Sequence, residues 1–157
     1  MNSFKLGLCS VTFRKKSAEE IVEIAKKSGI GFIEWGGDVH VKTVEDAQRV
    51  KSLCDKENIK ISSYGSYFNS ADYDEEKWCD ICEIAKELGA SSVRIWLGKK
   101  DSEKTDSSEY LTLLENTKKI LQTMRILNKL GMFMLMRGEV FFVSLRSIGR
   151  PAAGFVV

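Results

Sequence analysis

Along residues 4–136, short runs of β-branched and aromatic residues alternate with longer stretches whose apolar positions recur every three or four residues. Residues 4–9 predict a strand. Ser17, with Glu20 three positions on, forms a capping box: hydroxyl and carboxylate each satisfy a free amide at a helix start. Ile21, Ile24, Ala25 and Ser28 follow at helical spacing, and Gly29 supplies a left-handed stop. Residues 30–35 predict the second strand. Thr43 to Asp46 opens the next helix, with Ala47, Val50, Leu53 and Cys54 inward and Asn58 as its terminator. Residues 59–64 predict the third strand. A third helix starts between Asp72 and Asp74, carries Trp78, Ile81, Cys82, Ala85 and Leu88 on one stripe, and closes at Gly89. Residues 92–97 give the fourth strand. Ser107 or Ser108 caps a long helix whose inward side is Leu111, Leu114, Ile120, Leu121, Met124 and Leu127; Gly131 ends it, and residues 132–136 form a fifth strand.

Strands that recur at intervals of roughly 30 residues, each pair separated by one helix, pair in parallel through right-handed crossovers. The expected fold is α/β, a (βα)4β arrangement after which the pattern dissolves. Two architectures have this repeat, an open doubly wound sheet and a barrel. The first strand–helix connection, residues 10–16, holds no glycine, which argues against a dinucleotide site. A complete eightfold barrel needs at least about 200 residues, so the chain supplies just over half of one. A partial TIM barrel over residues 1–137 and an atypical tail over residues 138–157 is the expected division.

Composition narrows the class. The 157 residues are 43% hydrophobic and 29% charged, with one proline, which excludes a disordered or collagen-like chain. A net charge of +2 gives no global field for nucleic acid or anionic membrane. No run of 18 apolar residues is present, and the apolar run near the N-terminus is too short for a signal peptide. Cysteines at 9, 54, 79 and 82 in so charged a chain suit a reducing cytoplasm better than a disulfide scaffold. The near-neutral total hides a shift. Residues 1–124 carry 16 Lys, 3 Arg and 21 acids, a balance of −2; residues 125–157 carry 1 Lys, 4 Arg and one acid, a balance of +4. Such a change of idiom is that of a foreign tail, as after a frameshift or premature end, or of a genuinely basic terminal segment.

Barrel chemistry sits at the C-terminal ends of strands. Here those ends read Glu34-Trp35-Gly36-Gly37-Asp38-Val39-His40, Ser63-Tyr64-Gly65-Ser66-Tyr67-Phe68 and Arg94-Ile95-Trp96-Leu97-Gly98. Aromatics to stack on an apolar face and charged groups to bind hydroxyls bidentately suit a small polyhydroxylated ligand. Each residue also has a plainer reading. Glu34 and Arg94 can pair with each other, Trp35 and Trp96 can pack, and His40 can lie on a loop. Cys79 and Cys82 form a CxxC, but inside a helix rather than at its start, where the dipole would activate a thiol; packing is the expected role.

At these residues the chain resembles the xylose isomerase-like TIM-barrel family of sugar phosphate isomerases and epimerases, in the AP endonuclease family 2 superfamily. Gly31 to Val41 is one residue longer than the family's Gly-Xaa-Glu-Trp-Gly-Gly-Asp-Xaa-His-Val, and Tyr64 to Tyr67 and Arg94 to Gly98 match its next two strand ends. The resemblance spans residues 4–130. It implies proton transfer next to a sugar carbonyl, and a divalent metal (Mn, Mg, Co or Zn) held by later strands. The implied Glu-Xaa-His after strand five is missing; only a displaced Glu139 follows, and His40 is the sole histidine. The expectation is therefore substrate binding by Glu34, Trp35, His40, Tyr64, Ser66, Arg94 and Trp96, with no metal held by this chain and little activity.

Three functions compete. One is the N-terminal part of a sugar isomerase or epimerase, taking a small sugar or sugar phosphate. Another is a non-catalytic half-barrel that binds or assembles, self-associating through open sheet edges. The third, an endonuclease IV-like repair protein, needs several histidines for its zinc and a basic surface for DNA, and has neither here. No nucleic-acid or membrane partner is expected.

Overall fold

The computed structural model describes residues 6–126, 132–137 and 139–144. A six-stranded sheet runs in the order β1(Gly7–Cys9), β2(Phe32–Gly36), β3(Lys60–Asn69), β4(Ser92–Trp96), β5(Met132–Arg137), β6(Glu139–Ser144). The first five strands pair in parallel, each with its sequence neighbour. Four helices form the crossovers: α1(Ala18–Lys27), α2(Val44–Lys56), α3(Glu75–Leu88) and α4(Ser107–Ile126). The expected (βα)4β arrangement is present.

Helix limits follow local chemistry. Ser17 and Glu20 make the reciprocal capping box, and the Thr43 and Asp74 side chains accept from the Asp46 and Lys77 amides. The last helix begins differently from expectation. Asp106, rather than a serine, accepts from the Ser108 and Glu109 amides. An aspartate there also opposes the positive end of the helix dipole. Asn58 and Gly89 turn the chain through the left-handed region where α2 and α3 stop.

The core lies between the outer sheet face and the helices. Ile33, Trp35, Tyr64, Val93 and Ile95 meet Ile21, Val22, Ala25, Val50, Cys54, Trp78, Ala85, Leu88, Ile120 and Met124. Two helix faces differ from the sequence reading. On α1, Val22 is buried and Ser28 exposed; on α4, Ile120 and Met124 are buried while Leu111 and Leu114 are exposed. Leu127, Gly131 and residues 155–157 lie outside the described residues.

Two strand expectations are corrected. β3 continues five residues past the predicted end, because it is stretched by irregular pairing. Ile33 pairs with Ile61 but Glu34 with Ser63, so Ser62 is an extra residue, and its carbonyl accepts from the Ser91 and Ser92 hydroxyls. Further on, Gly65 pairs with Arg94 and Asn69 with Trp96, so β3 spends four residues where β4 spends two. The second correction is β6. The fifth strand is not left as an edge; residues 139–144 turn back and pair with it antiparallel, Met132 opposite Ser144 through Arg137 opposite Glu139.

Candidate ligand site

Strand alternation puts Cys9, Glu34, Ser63, Gly65 and Arg94 on the inner face, opposite the helices. Cys9, Glu34 and Ser63 stand level across three strands, and Gly65 and Arg94 stand level two residues further along; together they make the inner row near the strand ends. Glu34 Oε1 accepts from Arg94 Nε at 3.1 Å and from the Cys9 thiol at 3.2 Å; Oε2 accepts from the Ser63 hydroxyl at 2.7 Å. The Ser62 bulge is what brings Ser63 level with Glu34. The Arg94 side chain is 7% exposed and that of Glu34 16%. A buried guanidinium is tolerable only when its charge is matched, and Glu34 matches it.

Glu34 and Arg94 stand on strands separated by β3, and the bridge between them crosses Gly65. A Cβ there would come within 2.6 Å of Arg94 Nη2 and 3.3 Å of Glu34 Oε1. Above the pair the extra residues of β3 carry Tyr67, whose φ of 58° is costly for a bulky side chain. Its ring lies 5.2 Å from the Arg94 guanidinium carbon. Ser66 braces the excursion, its hydroxyl donating to the Arg94 carbonyl at 2.8 Å and accepting from the Phe68 amide. Tyr67 also reaches Arg14, which pairs with Asp38 beyond strand two. Arg14, Asp38, Tyr67 and Cys9 were not among the candidate residues; Tyr67 depends on the β3 distortion and Arg14 and Asp38 on loops, none with a hydrophobic signature, whereas Cys9 stands on β1 in register with Glu34, where strand alternation signals it.

Of the seven candidates, the structure brings Glu34 and Arg94 together, with Ser66 against them. Trp96 is half-buried and by alternation shares their face. The other three do not converge with them, which corrects the expected common rim. Trp35 is fully buried on the helix side, its ring edge-on to His40. Tyr64 is also on that side, its hydroxyl donating to the Val41 carbonyl at 3.1 Å, and burial pushes its pKa up to about 12. The reason for both is register: Trp35 pairs with Tyr64 and Tyr64 with Val93, all one position away from the inner row.

His40 is neither on the rim nor on an exposed loop. It is 7% exposed, with Nδ1 3.0 Å from the Ser10 hydroxyl and Nε2 3.2 Å from the Lys16 carbonyl. A carbonyl only accepts, so Nε2 carries the hydrogen; in the neutral ring Nδ1 then accepts from Ser10, which itself accepts from the Gly36 amide at 2.9 Å. His40 thus ties the loop after β2 to the loop after β1.

A separate groove of about 280 Å³ lies beside the β4 end, lined by Gly98, Lys99, Thr105, Ser108 and Thr112 among others. Lys99 is paired there with Asp72, and the neighbouring Lys100 with Glu109. No group of three acids, histidines or cysteines able to hold a metal occurs among the described residues. Glu34 already accepts three hydrogen bonds and Asp38 is held by Arg14, so the described residues do not fit the implied divalent ion.

No protein-family model and no curated protein matches the sequence. Solved structures do. A xylose isomerase domain-containing protein from Salmonella typhimurium superposes with a TM-score of 0.69 at 15% identity, over 86% of this chain and 50% of that one. The fold is that of half a TIM barrel, similar to that of xylose isomerase domain proteins. A probable 3-DHS dehydratase, AsbF, from Bacillus anthracis gives 0.71 at 20% identity over 84% of this chain and 52% of that one. D-Psicose 3-epimerase from Clostridium cellulolyticum, solved with D-tagatose, gives 0.62 at 13% identity over 83% and 51%. A further barrel of this kind, the IolI protein, holds a zinc atom. The chain spans about half the length of the barrels it matches. Among the described residues no helix is long and apolar enough to cross a membrane.

Proposed function

We propose that this half-barrel binds a small sugar or sugar phosphate at the C-terminal ends of its strands, on the inner row around Glu34 and Arg94. One observation carries the reading. Arg94 is buried at the strand ends with only Nε engaged by Glu34, and its two terminal nitrogens have no hydrogen-bond partner among the described residues. Those nitrogens are donors for ligand oxygens, and Glu34 fixes the fork that presents them. Trp96 offers an apolar ring on the same face. The sugar bound in one barrel of the same fold, D-tagatose, agrees with that chemistry.

Isomerisation or epimerisation moves a proton next to a carbonyl and needs a base within reach of that carbon. Glu34 is the one carboxylate of the inner row among the described residues, and both its oxygens already accept hydrogen bonds. The reading is therefore binding without turnover by this chain alone. Calorimetric titration with a panel of aldoses, ketoses and their phosphates tests it, alongside turnover assays with Mn²⁺, Mg²⁺ or Co²⁺. Binding that Arg94→Met abolishes is the expected result. No binding by a folded chain would overturn the site, and metal-dependent turnover would overturn the assignment of binding alone.

A further inference from the structure

Two residues other than glycine among those described turn through the left-handed region, Asn58 and Tyr67. Asn58 follows α2, where this conformation ends a helix and asparagine takes it at little cost. Tyr67, at a φ of 58°, ends no helix and stands at the mouth of the inner row. The backbone on each side of it is pinned. The Ser66 hydroxyl donates to the Arg94 carbonyl at 2.8 Å and accepts from the Phe68 amide at 3.2 Å, and the buried Phe68 ring lies 5.0 Å from that of Trp78. Tyr67 itself is 37% exposed and takes no part in the core. Glycine or asparagine would follow the same path at lower cost, so the reason for a tyrosine lies in what its side chain faces.

It faces the site. The ring lies 5.2 Å from the Arg94 guanidinium carbon, and the hydroxyl meets Arg14, which is paired with Asp38. A guanidinium only donates, so the phenol oxygen is the acceptor in that contact and its hydrogen is turned elsewhere. Among the described residues nothing accepts that hydrogen. We propose that Tyr67 is a ligand-binding residue of this site, its phenol O–H donating to an oxygen of the sugar beside the terminal nitrogens of Arg94. The inference rests on the sugar-binding reading above and adds a second donor to it. Arg14 holds the phenol oxygen and Asp38 holds Arg14, so the donor is in place before a ligand arrives. A strained backbone at a binding site is then the cost of that placement. The oxygen it meets is a sugar hydroxyl or a phosphate oxygen, since both accept.

Calorimetric titration of the intact chain with D-tagatose, D-tagatose 6-phosphate and inorganic phosphate tests this, with a thermal melt of each variant. Tyr67→Phe keeps the ring and removes only the hydroxyl. It should lose about five- to tenfold in sugar affinity, the size of one neutral hydrogen bond, at an unchanged melting temperature. Tyr67→Asn relieves the backbone, so it should melt no lower than the parent and yet bind at least tenfold more weakly. A loss shared by inorganic phosphate places the phosphate on the phenol; a loss confined to the sugars places a hydroxyl there. Tyr67→Phe that binds like the parent, while Arg94→Met does not bind, overturns this inference and leaves the site standing. Tyr67→Asn that melts well below the parent and keeps its affinity also overturns it, and makes the ring a cover for the Arg94 charge. A folded parent that binds neither these nor any other sugar of the panel overturns both readings.

Discussion

Arg94 reaches Glu34 across the Cα of Gly65, on the strand that separates them. The pair therefore depends on a residue that touches it only by lacking a side chain. Gly65 is in ordinary strand register with Arg94 and has no positive φ, so space rather than backbone freedom explains the glycine.

Gly65→Ala puts a methyl 2.6 Å from Arg94 Nη2. The guanidinium must swing away, and with both walls buried it cannot do so freely. We expect a loss of about 1–3 kcal/mol in urea unfolding, the usual cost of overpacking a closed site, together with loss of sugar binding. An alanine variant as stable as the parent would mean that the pair has slack the geometry does not show.

The pair itself should show strong coupling. Removing one partner leaves the other charge buried, a cost of roughly 3–5 kcal/mol. Arg94→Met and Glu34→Gln should each approach that, Glu34→Gln less because its amide oxygen can still accept from Cys9 and Arg94 while its NH2 donates to the Ser63 hydroxyl. The double variant should recover much of the loss. Chemical denaturation of all four species measures the coupling; simple additivity would show that the two charges are solvated separately.

Much of the scaffold was legible in the sequence, because caps and periodicity are local. Ser17 with Glu20, Thr43 and Gly89 mark helix ends through contacts within four residues. The candidate site was legible only in part. Glu34 and Arg94 were found because a charge inside an apolar strand demands a partner. Tyr64 was misplaced because one extra residue, Ser62, changes which β3 side chains share a face, and that bulge is held by the Ser91 and Ser92 hydroxyls; Trp35 follows Glu34 directly, so strand alternation alone turns it to the other face. The partners of His40 lie 24 and 30 residues away, beyond any local pattern. On α4, Leu111 and Leu114 satisfy helical spacing as well as Ile120 does. Spacing cannot tell which flank the fold covers.

His40 should matter for stability and not for binding. His40→Ala strands the Ser10 hydroxyl and opens a hole beside Trp35, so a loss of about 2–3 kcal/mol is expected, with Ser10→Ala costing about 1–2 kcal/mol through the unpaired Gly36 amide. Thermal melts check the order. Sugar affinity should stay within twofold for both, and a large affinity loss in a stable His40 variant would return that residue to the ligand.

The buried thiols set an alkaline limit. Burial is the main cause that pushes Cys9 and Cys54 up to about 11 and Cys82 up to about 12, and the neighbouring Glu34 carboxylate adds to it at Cys9. All three are raised above the ordinary thiol value of 9.0. In the folded chain they stay protonated where the unfolded chain has already ionised, so their contribution is whole below pH 9 and is lost as pH rises through 11 to 12. Unfolding free energy should thus be flat from pH 7 to 8.5 and fall steeply above pH 9.5, helped by Tyr64, which burial also raises. At pH 8 a thiol reagent should modify the exposed Cys79 at once, the half-buried Cys9 more slowly, and the buried Cys54 and Cys82 only at the rate of opening. Rapid modification of Cys54 or Cys82 at that pH would show that the helix-side core opens far more readily than its packing implies.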